Sequence, residues 1–228
     1  MAAELDLYHF GYHGISVGSI VKKIATRGLL PSKIVVCHLG GGSSITAVRE
    51  GKSFDTSMGY TPLEGLVTST RSGNIDPVAV MLVREKLGKN LSETQAYFNK
   101  ECGMLGLSGK SSDVRELLEL ERAGDVDARL ALDKFVMSIK HYIGAYTAEM
   151  GGIDMLVFSG TIGERSSSIR QQVCVGLECL GIKLDLGINE SSKGIDAQLN
   201  TSDSPVKIVA VCTDEMSAMA EHLTALQG

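Results

Sequence analysis

The sequence predicts an α/β fold with a mixed central sheet that is flanked by helices. Two observations point to this class. Short β-branched runs joined by a tight turn come early in the chain, and a strand–helix–strand–helix order closes it. Strands joined by a turn pair antiparallel, whereas strands separated by a helix pair in parallel, so one sheet that contains both kinds is mixed.

The early strands are predicted over residues 34–37, 44–49 and 52–56, with Glu50-Gly51 as the turn between the last two. Runs of Val, Ile and Thr bounded by glycine and polar residues are typical of strands. The three strands therefore form a β-meander. A helix is predicted to precede them, directly after the loop that contains His13.

Helices are predicted next, from their start signals and apolar spacing. Asp76 before Pro77 is typical of an N-cap with proline at the first helical position, and it predicts a helix to about residue 86. Ser92 opens a second helix to about residue 100, and Ser112-Asp113 caps a third through residue 121. A long helix over 125–150 follows, because its apolar residues recur at helical spacing.

The closing part is predicted as a strand over 155–158, a helix over 166–180, a strand over 206–211 and a helix over 217–226. Both strands are continuous apolar runs, which is typical of strands that are buried on both faces.

Composition and charge exclude several classes of function. The 228 residues carry a net charge of −5, with 43% hydrophobic and 21% charged residues, which gives no electrostatic case for nucleic-acid binding. No apolar run approaches the roughly 18 residues that span a membrane, and the N-terminus lacks the features of a signal peptide. Five cysteines without paired spacing predict reduced thiols and a cytoplasmic protein.

The segment CHLGGGSS, residues 37–44, lies between two predicted strands. Three successive glycines leave a backbone without Cβ atoms, so its N–H groups can approach an anion closely, and the two serines add hydroxyl donors. Because the segment runs from strand to strand, it suggests a phosphate-binding β-hairpin, whereas Rossmann and Walker loops run from strand to helix. An ordinary glycine-rich turn is the alternative.

Two further strands end in glycine and small polar residues, at SGTIGE (159–164) and TDE (213–215). In open α/β sheets, ligands bind beyond the carboxyl ends of the strands. We therefore expect the three strand ends to line one cleft, although each of them alone is also compatible with a tight turn.

Single residues add candidates. Arg71 lies among Thr, Ser and Gly, a setting that suits bidentate binding of a phosphate or carboxylate, with a surface salt bridge as the alternative. His13 can donate to an anionic oxygen or be structural. Glu215 is a candidate Mg²⁺ ligand or a carboxylate that complements a helix dipole. The segment GLSGKS, residues 106–111, lacks the glycine spacing and the preceding strand of a Walker A motif, so we interpret it as a loop before a helix cap.

Taken together, these segments resemble the acetate kinase family, which includes propionate kinases. The matching motifs follow the family's order along nearly the whole chain: FGYHGIS (10–16), HLGGGSS (38–44), DTSMGYTPLEG (55–65), TRSGNIDP (70–77), SSDVR (111–115), YIGAY (142–146), IGE (162–164) and TDE (213–215).

The resemblance implies a ribonuclease-H-like domain of the sugar-kinase and actin type. It implies transfer of the γ-phosphoryl group of ATP to acetate, with ATP/ADP and Mg²⁺ as cofactors, a short-chain carboxylate as substrate and a homodimer as assembly. By resemblance, His13 and Arg71 are catalytic and Glu215 serves the metal. The nucleotide-binding residues that it implies are His38, Leu39, Gly40, Gly41, Gly42, Asp113, Val114, Arg115, Thr161, Ile162, Gly163, Glu164 and Arg165.

Two features separate the chain from a typical member. A member is about twice as long, so residues 1–228 are expected to form a single C-terminal nucleotide-binding domain, with the N-terminal domain absent. Four positions differ from the family's usual His, Asn, Gly and Asn: Val17, Gly41, Thr161 and Arg165. Two hypotheses follow. The chain is the nucleotide-binding half of an acetate or propionate kinase that acts with an N-terminal half, or it is a catalytically silent nucleotide-binding or dimerisation module.

Overall fold

The computed structural model describes residues 3–28, 30–214, 216, 219 and 220. The chain divides into two compact units. We call Met1–Phe10 with Ser57–Ile139 the helical unit, and Gly11–Thr56 with Lys140–Gly228 the sheet unit. Among the described residues, no helix combines the length and the apolar character that are needed to cross a membrane.

The sheet unit is built on a six-stranded mixed sheet, which confirms the predicted class. The strands are β1 (Lys33–Leu39), β2 (Ser43–Arg49), β3 (Lys52–Thr56), β4 (Met155–Ser159), β5 (Ala197–Gln198) and β6 (Lys207–Ala210), in the order β3-β2-β1-β4-β6-β5. β4 pairs in parallel with β1 and with β6, while β2, β3 and β5 are antiparallel to their neighbours. The predicted strands lie within two residues of the observed bounds, and among the strands of the described residues only β5 was not predicted.

One face of the sheet packs against helix α1 (Gly14–Thr26), the helix predicted after the His13 loop. Its apolar residues recur at helical spacing, and Ile20 and Ile24 join one buried cluster with the strand residues Ile34 and Val157. Burial of this stripe holds α1 on the sheet, because apolar area removed from water is the main favourable term in folding.

The opposite face of the sheet is also covered. Cys37 of β1 is fully buried, and its thiol interacts electrostatically with Cys174 at the end of helix α8 (Ser167–Cys174). Burial raises the pKa of Cys37 well above its usual value and that of Cys174 to about 12, so both thiols stay protonated. All five cysteines are unpaired, as predicted.

The segment after β4 differs from the prediction. A short helix α7 (Gly160–Arg165) follows β4 directly, where a loop was expected. The helix predicted over 166–180 ends at Cys174, because Gly176 adopts a φ of +81°, and a 3₁₀ turn follows at Glu178–Leu180. Helix α9 (Leu186–Ser191) was not predicted. Of the closing helix predicted over 217–226, only residues 219 and 220 are among those described.

The helical unit contains α2 (Pro77–Lys86), α3 (Leu91–Lys100), α4 (Gly103–Ser108) and α5 (Val114–Arg122), and helix α6 (Val126–Glu149) begins in it. Asp76 and Asp113 are N-caps, as predicted, since each carboxylate accepts a hydrogen bond from a backbone N–H of the first helical turn.

Two boundaries in the helical unit correct the prediction. Helix α3 is capped by Asn90 rather than by Ser92, through a capping box in which Asn90 and Glu93 each accept from the other's backbone N–H, at 3.0 and 2.8 Å. Residues 106–108, predicted as loop, end helix α4, and Gly109 terminates it at a φ of +62°. A Walker A motif follows a strand, whereas the element before α4 is helix α3. The prediction that residues 106–111 are not a Walker A motif is therefore confirmed.

The side chain of Arg170, on α8, is fully buried in the sheet unit. Its Nε–H donates to Oδ1 of Asn189, and its other four N–H groups donate to the backbone carbonyls of Gly163, Glu164, Asn189 and Ser192, all at 2.7 to 2.9 Å. These carbonyls lie at the carboxyl ends of α7 and α9, where the last carbonyls of a helix lack intrahelical partners and a cation is favoured. The guanidinium of Arg170 therefore caps the carboxyl ends of two helices, α7 and α9.

We predict that Arg170→Met lowers the free energy of unfolding by at least about 3 kcal/mol, because it removes donors from the carbonyls of Gly163, Asn189 and Ser192 and from Oδ1 of Asn189, and an unsatisfied buried group costs about 1–3 kcal/mol. Urea unfolding followed by circular dichroism measures the change. The control is Arg129→Met, whose side chain is 72% exposed and whose loss should change stability by less than about 0.5 kcal/mol. A cost below about 1 kcal/mol for Arg170→Met contradicts the prediction.

Candidate functional site

The carboxyl ends of β1, β4 and β6 lie at the same edge of the sheet, because neighbouring parallel strands end at the same edge. The residues that follow them line one cavity of about 460 Å³. Its lining residues are His13, His38, Gly40, Gly41, Gly42, Gly160, Thr161, Thr213, Asp214 and Met216. The prediction that three strand ends share a cleft is therefore confirmed. Gly160, Thr213 and Asp214 were not predicted as site residues, although they lie in the strand ends that the sequence singled out.

The glycine hairpin between β1 and β2 is stabilised by hydrogen bonds among its own residues. The N–H of Gly40 donates to the carbonyl of Gly42 at 3.1 Å and to Oγ of Ser43 at 3.2 Å. The Ser43 hydroxyl donates in turn to the carbonyl of Gly40, at 3.1 Å. This serine hydroxyl, expected as a ligand donor, is therefore part of the turn itself.

Two N–H groups of the hairpin remain available. Within the described part of the chain, the N–H groups of Gly41 and Gly42 donate to no other group. Gly41 is exposed, and a Cβ at this position would meet no atom within 4 Å. An exposed turn with two unused N–H groups can bind an anion, which supports the phosphate-binding interpretation over a plain turn.

Two histidines stack at the rim of the cavity. The rings of His13 and His38 lie 4.2 Å apart between centroids, with their planes 32° apart. Nδ1 of His13 lies 2.9 Å from Oγ of Ser44, and Nδ1 of His38 lies 2.9 Å from Oγ of Ser16. Since Ser44 is on β2 and Ser16 on α1, each ring is held by a hydroxyl from a neighbouring element. The sequence did not predict these pairs, because the partners are distant along the chain.

The charge of His38 follows from its surroundings. Its side chain is only 8% exposed, and burial lowers its pKa from the usual 6.5 to about 4. The imidazole is therefore neutral near pH 7, and it can hold a ligand by a hydrogen bond but not by positive charge.

Gly160 has no substitute in this position. Its φ is +72°, and a Cβ would lie 2.6 Å from the carbonyl oxygen of Leu39 at the end of β1. Only glycine allows the start of α7 to approach the start of the glycine hairpin this closely.

The remaining predicted residues of this region differ in exposure. Leu39 is fully buried, so its side chain belongs to the core. Gly163 packs on β4, since a Cβ there would lie 3.3 Å from the carbonyl carbon of Phe158. Thr161 and Arg165 are exposed, and Thr161 lines the cavity.

Val17, where the resemblance expects a histidine, is 6% exposed and belongs to the apolar cluster beneath α1. It also lines a second cavity of about 290 Å³ between α1 and the strands β2 and β3, whose rim includes His13. The valine therefore extends the core at this position.

Arg71 lies in the helical unit, in the loop that precedes helix α2. Its loop is held by the backbone of residues 102–105, whose N–H groups donate to the carbonyls of Thr68, Ser69 and Thr70 at 2.8 to 3.1 Å. The guanidinium is half-buried and makes no ion pair within the described residues, which argues against the alternative of a surface salt bridge. The loop thus presents a guanidinium that has no ion-pair partner in the part of the chain that the structure describes.

Asp113 and Arg115 are also in the helical unit, and they pair with each other. The guanidinium of Arg115 donates to both carboxylate oxygens of Asp113, at 3.1 and 2.5 Å. This contact lowers the pKa of Asp113. Val114 between them is buried. Their role in binding a nucleotide stays a prediction.

The predicted metal ligand, Glu215, lies outside the described residues. Within the described part of the chain, no three His, Cys, Asp or Glu side chains converge to hold a metal ion. A Mg²⁺ ion usually keeps several waters and takes only one or two carboxylates from a protein.

The fold and the cavity define an α/β protein with a ligand cleft at the carboxyl edge of its parallel strands. A model of the acetokinase family matches residues 1–221. The acetate kinase of Syntrophomonas wolfei is 45% identical over 214 residues, which cover 92% of this chain and 54% of that protein. The chain belongs to the acetokinase family.

Solved structures agree with this assignment. The crystal structure of Porphyromonas gingivalis acetate kinase matches with a TM-score of 0.95 at 35% identity, over 100% of this chain and 58% of that one. A propionate kinase from Francisella tularensis matches with a TM-score of 0.89 at 35% identity, over 96% and 56%. They confirm the predicted ribonuclease-H-like, actin-type fold. The chain spans little more than half the length of these relatives.

We predict that the buried, neutral His38 makes stability depend on pH. Between about pH 6.5 and about pH 4 the unfolded chain binds a proton at this residue and the folded chain does not. Stability therefore falls as the pH falls through this window, by roughly 3 kcal/mol in total. Urea unfolding of wild type and His38→Gln across this range isolates the contribution as their difference. An NMR titration in which the His38 ring protonates near pH 6.5 contradicts the prediction.

Proposed function

We propose that this chain supplies the nucleotide-binding part of a phosphotransferase that moves the γ-phosphoryl group of ATP to a short-chain carboxylate, giving an acyl phosphate and ADP. The observation that carries the proposal is the convergence of three strand ends on one cavity, whose hairpin has two backbone N–H groups without an acceptor among the described residues. The cavity volume falls within the range of small-molecule sites. Membership of the acetokinase family supports the reaction class.

The chain's own groups divide the work in this proposal. The N–H groups of Gly41 and Gly42 hold phosphate oxygens, since a glycine turn lets the backbone approach an anion without steric hindrance. Mg²⁺-bound ATP supplies the transferable phosphoryl group and a metal that neutralises its charge. His13, held by Ser44, donates to the transferring group. The stacked geometry keeps this ring in one orientation at the cavity.

In this proposal, the positive charge that stabilises the phosphoryl group comes from residues other than His38. Because that imidazole is neutral, it adds a hydrogen bond but no charge to the site. We propose that the Arg71 guanidinium stabilises the equatorial oxygens of the phosphoryl group in the transition state, with Glu215 serving the metal. Fixed cations around these oxygens are the main catalytic device in phosphoryl transfer. The lack of an ion pair at Arg71 among the described residues supports this role.

The chain spans 54% of the Syntrophomonas wolfei enzyme's length, so part of a relative's length has no counterpart in it. By resemblance we assign the chain to the C-terminal half and propose that an N-terminal half completes the site, in the cytoplasm where ATP is available. Acetate and propionate both remain candidate acceptors, since acetate and propionate kinases are both close structural relatives.

A second candidate function is a catalytically silent nucleotide-binding module. Thr161 and Arg165 are both exposed on α7, and Thr161 lines the cavity, where the resemblance expects glycine and asparagine. A β-branched side chain and an added charge at this surface change what the cavity accepts. This observation favours a module whose nucleotide recognition is altered.

Mixing the chain with the N-terminal half of a related enzyme, Mg-ATP and acetate is expected to produce acyl phosphate, detected as the hydroxamate. In this mixture, Arg71→Ala should lower kcat by roughly 10²–10³-fold, because one transition-state donor is lost. The control is Arg122→Ala, an exposed arginine of the same unit.

Calorimetric titration of the chain with Mg-ATP separates the outcomes. Binding together with acyl phosphate formation supports the kinase. Binding without activity in a folded mixture supports the silent module. No binding at millimolar nucleotide rejects both nucleotide-binding functions and leaves only a structural role, such as dimerisation. If Arg71→Ala raises KM alone, Arg71 acts in ground-state binding.

We further propose that the chain forms a homodimer through helix α2. None of its residues is buried, although Val78, Met81 and Leu82 lie at helical spacing with 59%, 67% and 51% of their surface exposed. A contiguous apolar face left in water is typical of an interaction surface. By resemblance, the occupant is a second copy of the same chain.

We expect sedimentation velocity to show a dimer of the wild-type chain at micromolar concentration. Met81→Asp should weaken association by more than about tenfold, because it buries a charge in an apolar interface. The control is Met137→Asp, on α6, where the methionine is 55% exposed. A monomeric wild type, or equal effects of the two variants, contradicts the proposal.

A further inference from the structure

One carboxylate oxygen joins two ends of the sheet. Oε1 of Glu164, on α7, accepts three hydrogen bonds: from the N–H of Gly160 at 3.1 Å, from the N–H of Thr213 at 2.9 Å and from the Thr213 hydroxyl at 3.0 Å. Three donors at one oxygen use its accepting capacity fully. Each bond is charge-assisted, which makes it stronger than a bond between neutral groups.

The two donor residues belong to different loops. Gly160 follows β4 and Thr213 follows β6, and both line the 460 Å³ cavity, whereas Glu164 is not among its lining residues. The first N–H groups of a helix need an outside acceptor. Ser159, the N-cap of α7, makes no side-chain cap bond, and the carboxylate of Glu164 accepts from the first N–H in its place.

The end of β1, the third strand end, is connected to the other two by the contact between Gly160 and Leu39. The Cα of Gly160 faces the backbone of Leu39, where the glycine hairpin begins, at a distance that excludes a Cβ. A shift of Gly160 therefore moves against the hairpin. The Glu164 carboxylate thus connects all three walls of the cavity, two by hydrogen bonds and one through packing.

Glu164 is itself held from the other side. Its backbone carbonyl accepts from a guanidinium N–H of Arg170 and from the N–H of Gly194, both at 2.9 Å. A side chain whose backbone is fixed can place its carboxylate with little loss of conformational entropy on ligand binding.

We propose that Glu164 is a positioning residue that fixes the loops after β4 and β6 relative to each other, and that it does not touch the ligand. This differs from the direct nucleotide contact that the resemblance implies. The ligand part of the proposal rests on the proposed nucleotide site, whereas the loop linkage can be measured without any ligand.

The experiment uses the whole chain and three variants: Glu164→Ala, Glu164→Gln and the control Glu149→Ala, an exposed glutamate whose side chain makes no hydrogen bond or ion pair among the described residues. Amide hydrogen exchange is followed by NMR at Gly160 and Thr213 without ligand. In Glu164→Ala both amides should exchange roughly 10- to 100-fold faster, the range set by a lost bond to a charged acceptor. Glu164→Gln, which keeps an acceptor oxygen, should recover most of the protection, and Glu149→Ala should leave it unchanged.

Mg-ADP titration then supplies the second measurement. Glu164→Ala should bind at least about tenfold more weakly than wild type, which corresponds to the loss of about one hydrogen bond's free energy. Glu164→Gln should bind nearly as wild type. One result overturns the proposal: Glu164→Gln binds Mg-ADP as weakly as Glu164→Ala, although the amides of Gly160 and Thr213 stay protected in Glu164→Gln. Glu164 would then contact the ligand directly. Unchanged exchange in Glu164→Ala also overturns the proposal. If wild type binds no nucleotide, the proposed function fails, and the exchange data alone still decide the loop linkage.

Discussion

The parallel pairing of β1, β4 and β6 is the constraint on which the candidate site depends. Parallel neighbours end at the same edge of a sheet, so three loops that are far apart in sequence meet there. One loop brings backbone N–H groups that have no acceptor in the described part of the chain, and the others bring glycine and threonine. An antiparallel placement of β4 would send its loop to the opposite edge and leave the hairpin without a facing wall.

Two charged side chains keep these loops in place, and neither lines the cavity. Arg170 lies beneath α7 and donates to carbonyls at the ends of two short helices. Glu164 lies on α7 and accepts from both neighbouring loops. A six-residue helix rich in glycine is not stable alone, since helix nucleation is costly and glycine is a poor helix former. The short helix α7 therefore exists because of these tertiary contacts.

The histidine pair shows how burial sets the chemistry of a site. His38 is neutral because its ring is removed from water, and its stacked partner His13 is oriented by a serine of β2. The ring of His38 therefore offers the cavity a hydrogen bond and no positive charge. A neutral ring avoids the cost of burying an unpaired cation.

By itself the sequence determined the strands, most helix starts, the glycine hairpin and the family, because these depend on patterns within a few residues: β-branched runs, N-cap residues and successive glycines. Ser92 and residues 166–180 were misassigned, because competing local signals, a capping box at Asn90 and a left-handed glycine at 176, decided those boundaries. Only the tertiary structure decided the existence of α7, the neutral state of His38 and the roles of Ser43, Ser44 and Glu164. Apart from the Ser43 turn, each of these features depends on contacts between residues that are distant in sequence. Glu164 and Thr213 are an example, since only the folded sheet brings them within hydrogen-bond distance.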